Sequence, residues 1–80
     1  MLYPSKNNTM ERYRNLGGNS GVSAYEIGVD YIRVRFSTGA VYSYSHRKAG
    51  RGHVEQMKTL ARGGSGLNSY INKYVKFLYD

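Results

Sequence analysis

Tyr31-Ile32-Arg33-Val34-Arg35-Phe36-Ser37-Thr38-Gly39-Ala40-Val41-Tyr42-Ser43-Tyr44-Ser45 is the stretch that decides the fold. Its first six residues alternate strictly, with Ile32, Val34 and Phe36 on one face and Tyr31, Arg33 and Arg35 on the other, the period of a half-buried strand. Ala40 to Ser45 is a second β-rich run of the right length to return as a hairpin. The turn sets the register. A two-residue type I′ turn would hold Thr38 at positive φ, which a β-branched residue resists. A three-residue loop keeps Ser37 and Thr38 right-handed and gives the left-handed position to Gly39. That loop pairs Phe36 with Ala40, Val34 with Tyr42 and Ile32 with Tyr44 on one apolar face. Tyr31, Arg33, Arg35, Val41, Ser43 and Ser45 then share the other face. The other register would mix the two arginines with Tyr42 and Tyr44.

Upstream, Tyr25 and Ile27 mark a strand from Val22 to Gly28, and Gly28-Val29-Asp30 is a compact turn signal. Residues 1–19 are polar and read as an arm or a short helix. Asn8 and Glu11 have capping-box spacing, Met10, Tyr13 and Leu16 follow at steps of three, and Gly17-Gly18 is a stop, so the pattern predicts a helix over 9–16. Downstream, His46-Arg47-Lys48-Ala49-Gly50-Arg51-Gly52-His53 reads as a basic loop. Val54, Met57, Leu60 and Ala61 then fall at helical spacing up to Gly63-Gly64. Ser65 or Asn68 can cap a second helix, whose Leu67, Tyr70, Ile71, Tyr74, Val75 and Leu78 form one stripe opposite Asn72, Lys73 and Lys76. The expected class is α+β: a small antiparallel three-stranded sheet, β-β-β-α-α, with both helices on its apolar face and residues 20–80 forming a single domain.

Eighty residues, 40% of them apolar and including nine Tyr and two Phe, make one small core and exclude a multi-domain enzyme. The absence of Cys excludes disulfides, Cys-ligated zinc and a thiol nucleophile. No stretch approaches the roughly 20 apolar residues that span a bilayer. Met1-Leu2-Tyr3-Pro4-Ser5-Lys6 has neither the charged start nor the apolar run of a signal peptide, so a soluble, cytoplasmic protein without a membrane partner is expected. The net charge is +7. Residues 1–30 hold equal numbers of bases and acids, so all of that excess falls in residues 31–80 and points to an acidic partner.

The string Ile32-x-Val34-x-Phe36, Gly39, Val41-Tyr42-Ser43-Tyr44, a helix, and then Gly64-Ser65-Gly66-Leu67-Asn68-x-x-Ile71 resembles the KTSC domain. That family is named for its place at the C terminus of some lysyl-tRNA synthetases and also occurs as stand-alone bacterial or phage proteins. The resemblance covers residues 20–78 and rests on the central Tyr42 and Tyr44 and on the later Gly64 and Asn68. Two departures fall in loops: the short Gly28-Val29-Asp30 turn replaces a longer aspartate-bearing connection, and a basic loop replaces a Val-Pro. The family has no established activity. RNA binding is what its company with a tRNA-charging enzyme implies.

Two candidate surfaces follow from the residues. Arg33 and Arg35 with Tyr31 beside them can contact phosphates while the ring stacks on a base; the alternative is an exposed face kept soluble and protected from edge pairing by arginine. The basic loop, with Arg47, Lys48 and Arg51, can join Lys58, Arg62, Lys73 and Lys76 in one patch; the alternative is a loop that is simply flexible. Tyr42 and Tyr44 are expected in the core, with hydroxyls at its edge, rather than as stacking platforms. Gly64 is expected to end one helix and Asn68 to cap the next, with an anion at that N-terminus as the other reading. His46 and His53 are the only candidates for acid–base chemistry and have no fixed geometry in a Gly-rich loop. No catalytic residue, metal site or cofactor is therefore expected. The sequence reads as a basic binding module for RNA or another nucleic acid; a protein-interaction or phage accessory domain is the alternative.

Overall fold

The structure, a computed structural model, describes residues 10–18 and 20–80. Strands β1 (Glu11–Arg12), β2 (Val22–Ile27), β3 (Tyr31–Phe36) and β4 (Val41–Ser45) form one antiparallel sheet in the order β1-β2-β3-β4. Helix α1 (Arg51–Gly63) follows. Helix α2 (Leu67–Tyr70) continues directly into a π-helical turn over Ile71–Val75. The α+β class and the two C-terminal helices are as expected, but the sheet has four strands rather than three.

The central hairpin takes the three-residue loop. Phe36 N–H donates to Ala40 O at 2.8 Å, Gly39 N–H donates to Phe36 O at 2.8 Å, and Gly39 sits at φ 96°. Val34 therefore faces Tyr42 and Ile32 faces Tyr44. Ile32, Val34 and Tyr44 are buried against Val54, Met57 and Ala61 of α1 and against Leu67, Ile71 and Val75 of the last helix. Fully burying one such aliphatic side chain is worth about 1.5–3 kcal/mol, so each is a large share of the stability of a domain this small. Tyr42 shares that face but stands on the outermost strand and is 39% exposed, packed edge-on against Phe36 and against the Tyr79 ring. Of the two hallmark tyrosines only Tyr44 is a core residue.

The expected helix over 9–16 is corrected within the described residues; Asn8 and Thr9 lie outside them. Glu11 and Arg12 instead pair with Tyr25 and Ala24, covering the edge of β2. Of the three apolar residues spaced by three, Tyr13 is buried while Leu16 is 66% exposed, so their spacing marks no helical face. Tyr13 N–H bonds Ser23 O at 3.0 Å, and its hydroxyl accepts from Leu67 N–H at 3.2 Å. Asn15 at φ 55° and Gly18 at φ 83° then turn the chain back.

Two further boundaries differ from expectation. The basic segment is not a loop to His53. Lys48 and Ala49 N–H close a turn on Ser45 O, Ala49 is buried, and Gly50 at φ 103° starts α1, so Arg51, Gly52 and His53 are helical. The second helix starts after Gly66 in left-handed geometry with no side-chain cap, so neither Ser65 nor Asn68 caps it. In the wider π turn the inward row runs Leu67, Ile71, Val75 at steps of four, and Tyr70 and Tyr74 move to its margin. Gly64 ends α1 in the left-handed region at φ 76°, its N–H shared between Leu60 and Ala61 carbonyls.

Candidate nucleic-acid interface

Register places Tyr31, Arg33 and Arg35 on the sheet face away from the helices, as their alternation predicts, but binds two of them into a local network. Glu26 stands opposite Arg33 on β2. Its Oε2 accepts from the Tyr31 hydroxyl at 2.7 Å and from Arg33 Nη1 at 3.3 Å, while Arg33 Nε donates to Ser43 Oγ at 3.1 Å. The hydrogen bond to Glu26, with burial second, raises the Tyr31 pKa. The Tyr31 ring lies across Gly28, so close that a β-carbon there would meet it at 2.0 Å, and the Arg33 guanidinium stands 5.3 Å from the ring centroid. A phosphate reaching Arg33 would compete with a carboxylate already in place, and a base reaching Tyr31 would meet a ring packed on backbone. Arg35 is exposed on the neighbouring row, across Ala24 from Arg12.

The remaining cations do not form one patch. Lys58 is 4% exposed, its ammonium 2.8 Å from Glu55 and donating to Val29 O at 3.0 Å. It ties α1 to the β2–β3 turn and is withdrawn from any surface. Glu55 also accepts from His46 Nε2 at 2.7 Å, and the Lys58 ammonium first, with His46 second, lowers the Glu55 carboxyl to about 2. Arg62 is at the far end of α1, about 16 Å along the axis from Arg51, in a pocket it shares with Glu11 and Glu26. Two exposed sets remain. Arg47, Lys48 and Arg51 are exposed where β4 meets α1, and Lys73 and Lys76 are exposed on the C-terminal helix. The chain end joins these two sets: Asp80 N–H donates to Ser43 O, and Ser45 Oγ donates to Asp80 Oδ1 while accepting from Lys48 N–H.

The histidines serve separate contacts. His53 and Glu55, the partner of His46, are two residues apart on α1 and so about 200° around it. His53 Nδ1 shares a 2.7 Å hydrogen bond with the Tyr70 hydroxyl, and its ring stacks on Tyr74 at 5.8 Å. Burial and then Tyr74 raise the Tyr70 pKa. Tyr74 is half exposed, with Lys73 Nζ 5.3 Å from its ring centroid. Among the described residues no group of His, Asp and Glu could hold a metal ion, and no helix is long and apolar enough to cross a membrane.

Beside the lysines lies a groove of about 330 Å³ between the β3–β4 hairpin and the C-terminal helix, with Tyr44 and Ile71 as its buried floor. Phe36, Tyr42 and Tyr79 supply aromatic lining, the Tyr42 and Tyr79 rings 4.7 Å apart. Asn68, Asn72 and Lys76 line it from the helix, and Phe77 stands beside it, 76% exposed. Asn68 is thus part of the groove rather than a cap. Its side chain would touch a β-carbon on Gly21 at 3.5 Å. Sequence reasoning missed Asn72, Phe77 and Tyr79 as a constellation with Tyr42. The four-residue spacing of Asn68, Asn72 and Lys76 was visible, but only the return of the chain end to β4 shows what stands opposite. Compared with known proteins, the chain matches no family model, no curated protein and no solved structure.

Proposed function

We propose that this chain is a small nucleic-acid-binding module that holds single-stranded RNA on its helix side, at Arg47, Lys48, Arg51, Lys73 and Lys76. The observation that carries the reading is that, among the described residues, none of these five exposed cations forms an ion pair, and exposed rings of Tyr74, Phe77, Tyr79 and Tyr42 stand among them. Unneutralised bases release counterions from phosphates, and exposed rings give sequence-tolerant stacking. The opposite sheet face is the weaker candidate, because Glu26 already holds Arg33 and Tyr31. RNA rather than DNA is what the sequence resemblance to KTSC domains implies, through that family's company with a tRNA-charging enzyme.

Fluorescence anisotropy of a labelled single-stranded RNA tests this from low to moderate salt, with duplex DNA as comparison. If four cations contact phosphates, log K falls against log salt with a slope near −3 for a single strand. The triple change of Arg47, Lys48 and Arg51 to Ala, or the double change of Lys73 and Lys76, flattens that slope. Arg12→Ala with Arg35→Ala on the other face leaves it unchanged. No binding at low salt overturns the proposal and turns attention to a protein partner for the exposed Phe77.

A further inference from the structure

The basic surface accounts for attraction to a phosphate chain, but not for the groove beside it. We infer that this groove captures one unstacked base of a single-stranded nucleic acid, with the phosphate of the same nucleotide on Lys76, an inference that rests on the nucleic-acid reading above. Three observations converge on that occupant. Phe36, Tyr42 and Tyr79 give an aromatic lining over a buried apolar floor, suited to a flat ring of any base. Asn72 lines the same groove from an exposed helix position and Asn68 lines it beside Gly21, and each amide has both a donor and an acceptor, the combination that pairs with the edge of a base. Lys76 follows Asn72 by one turn and lines the same groove, its ammonium 5.6 Å from the Phe77 ring centroid; among the described residues it is the one charged side chain there, and it has the sign a phosphate requires.

The dimensions agree. A space of about 330 Å³ lies at the small end of ligand pockets, about 300–1,000 Å³, and has room for one base and its sugar. The groove is open to solvent rather than enclosed, which lets a strand continue beyond the captured nucleotide. A purely aliphatic partner would leave the two amides and the ammonium without use. A free anion would leave the three rings without use.

The test compares three labelled strands of equal length on the full chain: oligouridylate, oligoadenylate, and a strand in which every base is replaced by an abasic site. Base capture predicts that the abasic strand binds at least about tenfold more weakly than either oligonucleotide, since stacking of one base accounts for roughly that factor or more. Asn72→Ala and Tyr42→Leu weaken oligonucleotide binding about tenfold and leave the abasic strand unaffected, whereas Lys76→Ala weakens all three. Asn72 is exposed on the helix, so its variant keeps the fold; circular dichroism confirms that for Tyr42→Leu. Equal binding of abasic and base-bearing strands overturns the groove inference and leaves the electrostatic reading standing. No binding of any strand at low salt overturns both. A mononucleotide that binds as tightly as the oligonucleotide also overturns the inference, because the groove would then be a site for free nucleotide.

Discussion

Gly63 and Gly64 are adjacent, chemically identical and expected to respond to the same substitution with opposite signs. Gly64 sits at φ 76°, where a β-carbon is strained by about 1–2 kcal/mol. That β-carbon would lie 2.8 Å from the Arg14 β-carbon, a stem atom rather than a mobile tip. The Arg14 segment cannot yield freely, since Leu16 N–H donates to Gly64 O at 2.8 Å and Arg14 Nη2 donates to Arg62 O at 2.7 Å. Displacing it forfeits about one hydrogen bond's net worth, ~1 kcal/mol. Alanine recovers about 0.4–1 kcal/mol by restricting the unfolded chain. The net for Gly64→Ala is a loss of about 2 kcal/mol, which in a domain of this length lowers the melting temperature by about 8–16 °C. Gly63 has a helical backbone and nothing within 4 Å of its β-carbon, so Gly63→Ala gains up to about 0.5 kcal/mol at this helix end. Urea and thermal unfolding followed at 222 nm measure both. Equal effects of the two variants, or a Gly64→Ala loss below about 0.5 kcal/mol, would refute the reasoning.

Gly52→Ala, in the first turn of α1 with open space around it, stabilises by about 0.5–1 kcal/mol, read as a higher urea midpoint at unchanged slope. Burial pushes the Tyr44 hydroxyl up to about 12, so its neutral form is the one the fold holds. The stability it contributes is complete below the ordinary tyrosine value near 10 and is lost as pH rises through about 12, at most about 3 kcal/mol. Unfolding between pH 9 and 12 checks this, with Tyr44→Phe expected to remove part of the alkaline loss; an identical slope in that variant counts against it. The Lys58 ammonium, and after it His46, holds the Glu55 carboxyl down at about 2, so its contribution is present above the ordinary value of 4.5 and disappears as pH falls towards 2. Glu55→Gln should flatten the acid limb in that window, and an unaltered acid transition would show that the pair contributes nothing.

How much of this was legible in the chain depends on how local the cause is. The hairpin was readable to the register because two local facts agree there: Thr38 resists positive φ, and Tyr42 and Tyr44 join the face of Ile32, Val34 and Phe36 only if Gly39 takes the left-handed position. The end of α1 was readable for the same reason, a glycine where the backbone needs one. The first strand was not. Glu11 and Arg12 have little strand propensity of their own, and they are extended because β2 has an unpaired edge and Tyr13 has a place in the core. The start of α1 was misplaced because the three residues after Gly50 are poor indicators of a helix, while the burial of Ala49 that fixes the turn is a tertiary fact.

The site divides along the same line. Alternation alone put Tyr31, Arg33 and Arg35 on one face, but alternation says nothing of the neighbouring strand, and it is the cross-strand Glu26 that decides what those residues are free to do. Lys58 shows the converse. Within its helix it looks like any solvated lysine, yet the carbonyl of Val29, twenty-nine residues away, and the i−3 carboxylate of Glu55 together make its burial tolerable. Once these cations are assigned to structure, the net charge of +7 overstates what a partner can meet. The freely presented cations are then Arg12 and Arg35 on the sheet face and the set at the β4–α1 turn and the last helix, and the aromatic groove lies against Lys76 of that second set. Charge and rings meet at Lys76, beside the groove and Phe77, and at Lys73, beside Tyr74. The groove itself is made by chain closure: Asp80 bonded to Ser43 and Ser45 brings Tyr79 onto Tyr42. Without that closure the Asn68, Asn72 and Lys76 row would face Phe36 and Tyr42 alone, and the groove would lose the ring that packs on Tyr42.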